Sequence, residues 1–75
     1  MKVASAAGNL LIRTGRLEEA RVEFERALLI AREIENRRAE ANAIGNIGLV
    51  FSFLGRYEEA TDQFERSLAI AREIE

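Results

Sequence analysis

Residues 15–20 read Gly-Arg-Leu-Glu-Glu-Ala, and residues 55–60 read Gly-Arg-Tyr-Glu-Glu-Ala. Further along, residues 30–35, Ile-Ala-Arg-Glu-Ile-Glu, return unchanged as residues 70–75. Both matches have the same offset of 40 residues. A fixed offset is the signature of an internal repeat in which each copy forms one supersecondary unit. The chain therefore contains two copies of one unit, which agree strongly from Gly15 onward.

The apolar residues of each unit recur with the period of an α-helix. They step by three and four residues, as along one helix face, in the series Leu17, Ala20, Phe24, Ala27, Leu28, Ala31, Ile34 and in the series Ile44, Ile47, Gly48, Phe51, Leu54. The sequence predicts four helices, at 3–14, 17–35, 37–54 and 57–74. The predicted fold is all-α, a helical repeat or α-α superhelix. It forms a single domain over 1–75 of two helix-turn-helix units, at about 1–36 and 37–75.

Glycine and asparagine mark the predicted helix ends. Gly15 and Gly55 follow the first and third helices, where a left-handed residue commonly ends a helix and glycine adopts it without strain. Between the second and third helices there is neither glycine nor proline, and Asn36 is the one good N-cap. We therefore expect this junction to be the weakest helix stop in the chain.

Composition excludes several classes of function. The 75 residues include no Cys and no His, so we expect no disulfide, no thiolate or imidazole metal site, no cofactor and no enzyme chemistry based on these side chains. The formal net charge of −2, with both signs interspersed, argues against nucleic acid as a partner. No segment has the length of uncharged apolar sequence that spans a membrane, and we expect a cytoplasmic protein.

Small and aromatic residues alternate where helices are predicted to cross. Gly8, Gly48, Ala20 and Ala60 allow close approach of two helix axes. Aromatic side chains are expected to fill the space around them, namely Phe24, Phe51, Tyr57 and Phe64.

At these positions the sequence resembles the tetratricopeptide repeat family. The second unit carries the family pattern as Ile44, Ile47-Gly48, Phe51, Gly55, Tyr57, Ala60, Phe64 and Ser67, and the first as Ala4, Ala7-Gly8, Leu11, Gly15, Leu17, Ala20, Phe24 and Ala27. The period of 40 exceeds the usual 34, and Arg32 and Arg72 stand where the family has a proline. In these respects the chain is similar to the subgroup with extended second helices, found in kinesin light chains and bacterial signalling arrays. The resemblance implies a scaffold for protein binding without catalysis.

In the resembled family the first helix of each unit lines a groove for an extended peptide or a helix. On the predicted third helix the residues of that face are Asn42, Asn46, Leu49 and Phe53, with Asn9 at the corresponding place in unit one. Asparagine amides can pair with a peptide backbone, and the apolar side chains can anchor it. In the alternative, Asn42 and Asn46 are solvated surface residues and Phe53 packs in an oligomer contact.

Asn9 and Asn46 also match two asparagines of the clamp with which some family members hold chaperone tails. That clamp needs a lysine four residues before the first asparagine, where this chain has Ser5, and two basic residues on a third repeat. We therefore do not expect chaperone-tail binding.

The last helix is expected to expose the face that another repeat would cover, formed by Thr61, Phe64, Leu68 and Ala71. Two repeats are fewer than arrays usually need, so we expect either a fragment of a longer array or a homo-oligomer. Self-assembly is thus the alternative function. It has two forms, namely head-to-tail stacking or a domain-swapped dimer in which the second and third helices fuse.

Overall fold

A computed structural model of the chain describes residues 16–74 and contains three α-helices there. Helix α1 spans Leu17–Glu33, α2 spans Arg37–Phe53 and α3 spans Tyr57–Ile74. Each coincides with a predicted helix to within two residues at either end. The predicted helix at 3–14 lies outside the described residues, and so does Gly15. None of α1 to α3 combines the length and apolar character that a bilayer crossing requires.

Helix α2 lies at the centre of the described fold and packs against both α1 and α3. Its side chains Ile44 and Val50 are almost completely buried. Ile44 forms a core cluster with Ala41 and with Ile70 of α3, and Leu28 of α1 packs against this cluster. The core is therefore built around α2, and the other two helices cover it from either side.

Helices α2 and α3 approach each other closely at Gly48. A Cβ atom at this position would lie 2.8 Å from Cε1 of Phe64 and 3.1 Å from Cβ of Gln63. One turn away, the hydroxyl of Ser67 donates a 2.8 Å hydrogen bond to the carbonyl oxygen of Ala41. The expectation that a small residue is required at this crossing is confirmed for Gly48.

Several apolar residues expected in the core are exposed instead, among them Ala27 and, at 62%, Ile34. Tyr57 is 67% exposed and Leu54 is 38% exposed. Both residues lie at helix ends, since Leu54 follows the last residue of α2 and Tyr57 is the first residue of α3. The periodic spacing of apolar residues extends to the helix ends, beyond the region where the helices contact each other. Periodicity alone therefore predicts too many core residues there.

The two junctions use the same hydrogen-bond pattern to end a helix. After α1, the N–H of Asn36 donates to the carbonyl of Ala31 and that of Glu35 to the carbonyl of Arg32. After α2, Arg56 and Gly55 make the equivalent bonds. This is the Schellman motif, which needs one left-handed residue. Gly55 supplies it with φ of 80°, whereas the first junction uses Glu35 with φ of 57°.

The side chain of Asn36 then caps α2 by accepting a 3.0 Å hydrogen bond from the backbone N–H of Ala39. The predicted N-cap is therefore confirmed. The junction that lacks glycine is a complete stop, but it contains a glutamate in a conformation that glycine prefers.

We expect the substitution Glu35→Gly to raise the free energy of unfolding by about 0.5–1 kcal/mol, because the relief of left-handed strain exceeds the entropy that glycine gains in the unfolded chain. The reciprocal change Gly55→Ala should lower it by about 1 kcal/mol. Urea unfolding followed by circular dichroism measures both. A loss of stability in the Glu35→Gly variant would contradict the strain assigned to this junction.

Candidate protein-binding site

One face of α2 remains exposed, and it carries the four candidate residues that lie in the described part of the chain. Asn42 and Asn46 are exposed, Leu49 is 40% exposed and Phe53 is 52% exposed. Since these positions are separated by three or four residues, the side chains form one stripe along the helix. The fifth candidate, Asn9, lies outside the described residues.

The remaining faces of α2 hold this stripe in a fixed orientation. The buried residues of α2 surround its axis on the other sides and are Glu40, Ala41, Ala43, Ile44, Ile47, Gly48 and Val50. A helix buried on so many sides cannot rotate without exposing its core residues. The exposed amides and apolar side chains are therefore presented on a rigid element.

The stripe combines two kinds of contact. Each asparagine amide offers two N–H donors and an acceptor oxygen. Within residues 16–74, no hydrogen bond joins either amide to another side chain or to the backbone outside its own helix. Phe53 and Leu49 lie toward the C-terminal end of the same stripe and are apolar. The arrangement suits a peptide whose backbone hydrogen-bonds to the asparagines and whose apolar side chain contacts Leu49 and Phe53.

Sequence reasoning missed one residue of this face. Arg38 is exposed and precedes Asn42 by four residues, which places it on the same stripe at the N-terminal end of α2. In the sequence Arg38 lies close to Arg32 and Arg37, which favours the interpretation of all three as one ion-paired surface. The spacing of four residues between Arg38 and Asn42 is the sequence signal that distinguishes Arg38 from the other two arginines.

The other two arginines form an ion-pair network that joins all three helices. Arg37 lies 2.8 Å from Glu40 and 2.5 Å from Glu73 of α3. Arg32 of α1 lies 3.3 Å from the same Glu40 carboxylate. Glu33 lies four residues before Arg37 but makes no ion pair with it in the described structure, because α1 ends at Glu33 and the chain turns before Arg37.

Glu40 lies at the centre of this network and is the one buried charged residue among those described. Burial raises the pKa of its carboxyl group, but hydrogen bonds from Arg37 and Arg32 outweigh it and hold the pKa below its ordinary value. Hydrogen bonds to Glu73 and Glu40 raise the pKa of Arg37. The network joins the N-terminal half of α2, which carries Arg38 and Asn42, to α1 and α3.

The lowered pKa of Glu40 predicts a loss of stability in acid. A carboxyl group whose pKa is lower in the folded state stabilises the fold above its unfolded pKa of about 4.3, and this contribution disappears as the pH falls through the folded pKa. We expect the melting temperature of the Glu40→Gln variant to be lower at pH 7 and to fall less steeply below pH 5. Glu33→Gln, an exposed change near the same junction, is the control and should follow the wild-type curve.

The residues considered for self-association lie together on α3. Thr61 and Ala71 are exposed, Phe64 is 43% exposed and Leu68 is 50% exposed. They are spaced by three and four residues and form a second stripe, separate from the one on α2. We call this set, together with Tyr57, the α3 stripe.

Comparison with known proteins gives a family match. A family model described as Tetratricopeptide repeat matches residues 1–73. Neither the curated proteins nor the solved structures yield a match.

Proposed function

Because the chain belongs to the tetratricopeptide repeat family, we propose that it is a non-catalytic module that binds a protein partner across the exposed stripe of α2. The ligand is an extended peptide or a helix. Asn42 and Asn46 pair with its backbone, and Leu49 and Phe53 hold an apolar side chain. In the complete groove Asn9 contributes a third amide.

One observation carries this proposal, namely that α2 is buried on its other faces and exposes a single stripe of amides and apolar side chains. Phe53 lies on the same stripe as the two asparagines and is 52% exposed, more than packing within the fold requires. An exposed aromatic residue is a typical interface anchor. Arg38 adds a positive charge at the N-terminal end of the stripe, which favours a ligand with a carboxylate at that end.

The test is a selection from a phage-displayed library of random 12-residue peptides on the purified chain, followed by calorimetry with the selected peptides. We expect Phe53→Ala to weaken binding at least ten-fold and Asn46→Ala by a smaller factor, since buried aromatic anchors dominate interface energies. Leu29→Ala, which removes an exposed apolar side chain of α1 outside both stripes, is the matched control. Peptides that bind the Phe53→Ala and Asn46→Ala variants as tightly as the wild type would overturn the proposal.

A second candidate function is self-assembly, and the exposure of the α3 stripe favours it. Three adjacent members of this stripe, Phe64, Leu68 and Ala71, are apolar and accessible. Association of copies through this stripe would form a homo-oligomer and leave the α2 stripe open for a ligand.

A further inference from the structure

A comparison of α1 with its repeat equivalent α3 indicates what kind of element the α3 stripe can contact. Leu28 of α1 packs against the core that α2 forms, and Ala31 is only 2% exposed. Forty residues later, the equivalent residues Leu68 and Ala71 lie on α3 and are exposed. The sequence around them is nearly the same as in α1. The surface that α1 uses to bind a helix is therefore repeated on α3 without a helix on it in the described part of the chain.

The spacing within the α3 stripe is that of a coiled-coil seam. Tyr57, Thr61, Phe64, Leu68 and Ala71 alternate intervals of four and three residues over the whole length of α3. Two helices with this pattern can pack side by side along such a seam. The stripe can therefore accept a straight helix that carries the same pattern, and α3 itself is such a helix.

Charges along the stripe favour an antiparallel pair of α3 helices. On the solvent side of the seam, consecutive heptad positions carry Glu58, Glu65 and Arg72. When two copies run antiparallel with their midpoints aligned, Glu58 of each copy faces Arg72 of the other, which gives two opposite-charge pairs. In a parallel pair these residues would face the partner residues on the other edge of the seam, which are Ala60, Ser67 and Ile74, so none of the three would gain an opposite charge. The antiparallel pair keeps one unfavourable contact, between the two Glu65 side chains.

From this seam and its charges we propose that a second copy of the chain binds the α3 stripe, so that the two α3 helices pair antiparallel about a two-fold axis near Glu65. The proposal rests on self-assembly, the second candidate function, and specifies its geometry. The interface is isologous and therefore closes as a dimer rather than growing into a filament. It also places Phe64 of one copy against Leu68 of the other and leaves the α2 stripe outside the contact.

Sedimentation equilibrium over a concentration series tests the association itself. We expect a reversible dimer of the full chain, and Leu68→Glu, a charge placed in the seam at a half-exposed position, should give a monomer. Circular dichroism and thermal melting establish that this variant is folded. A wild-type chain that remains monomeric at millimolar concentration would overturn both the self-assembly function and this geometry. A dimer that persists in the Leu68→Glu variant would overturn only the geometry.

Exchange of the charges at positions 58 and 72 tests whether the two α3 helices run antiparallel. Arg72→Glu and Glu58→Arg should each weaken the dimer by on the order of ten-fold, since each replaces two attractive contacts by two repulsive ones. The double variant Glu58→Arg/Arg72→Glu should return to within about three-fold of the wild type, and Glu65→Gln should bind more tightly than the wild type. Failure of the double variant to recover would contradict the antiparallel pairing.

Cross-linking gives an independent result, because the chain contains no cysteine of its own. Oxidation of a mixture of the Thr61→Cys and Ala71→Cys variants should produce the mixed disulfide, since these positions face each other in the antiparallel pair. Each variant alone should give little dimer. Disulfides within each variant alone would indicate a parallel pair, and no disulfide in the mixture would indicate a different contact; either result overturns the proposal.

Discussion

Replacement of Ile44 by alanine is expected to lower the free energy of unfolding by about 2–5 kcal/mol. Ile44 is 1% exposed and forms the core cluster with Ala41 and Ile70. Truncation removes buried methyl groups and leaves a cavity where the three helices meet, which can close only if α1 or α3 moves toward α2. A single core of this size rarely supplies more than roughly 3–5 kcal/mol, so the variant should be largely unfolded at 25 °C.

Far-UV circular dichroism at 25 °C measures this directly, with urea unfolding of the wild type as reference. Leu49→Ala is the matched control, because it removes a branched apolar side chain from the same helix at a position that is 40% exposed. We expect its effect on stability to be well below that of Ile44→Ala. Equal losses from the two variants would show that α2 does not organise the core as described.

Gly48→Ala and Gly45→Ala are expected to change stability in opposite directions. At Gly48 the new Cβ would lie 2.8 Å from the Phe64 ring and 3.1 Å from Cβ of Gln63, so either the Phe64 ring or the two helices must shift. Overpacking of this kind costs about 1–3 kcal/mol, and the better helix propensity of alanine offsets about 1 kcal/mol of it. The net loss should be about 1–2 kcal/mol.

At Gly45 the nearest atom to a new Cβ is the hydroxyl oxygen of Ser67, at 3.5 Å, which is an ordinary contact. The gain in helix propensity is then unopposed and should stabilise the fold by up to about 1 kcal/mol. Both variants change the same residue type in the same helix, so the comparison separates close packing from helix propensity. Stabilisation by Gly48→Ala would mean that the crossing at Phe64 has room for a side chain.

Much of the fold was predictable, because matching segments 40 residues apart reveal the repeat and the spacing of apolar residues reveals the helices. The boundaries of α1, α2 and α3 follow from this order to within two residues. The left-handed conformation of Glu35 was not predictable, because hydrogen bonds to α1 carbonyls and the start of α2 determine it rather than its own preference. The exposure of Tyr57 was missed because periodicity does not reveal where a neighbouring helix ends.

The stripe on α2 was predictable as a set of residues, since Asn42, Asn46, Leu49 and Phe53 remain once the core face of the helix is assigned. The partners of the charged side chains were not predictable. Arg37 pairs with Glu73, which is 36 residues away in the chain, and only the packing of α3 beside α2 brings the two together. Spacing alone would pair Arg37 with Glu33, four residues earlier, because it does not account for the turn between α1 and α2.

The arrangement of α2 between its two sequence neighbours also affects how fast the chain folds. Each helix packs against the next one along the chain, and only three residues join each pair, at 34–36 and 54–56. Forming such contacts closes short loops, so little chain entropy is lost before packing compensates for it. Proteins dominated by local contacts of this kind fold in microseconds to milliseconds. We therefore expect temperature-jump relaxation of the isolated chain on that timescale, with no slow phase from proline isomerisation, since the sequence contains no proline.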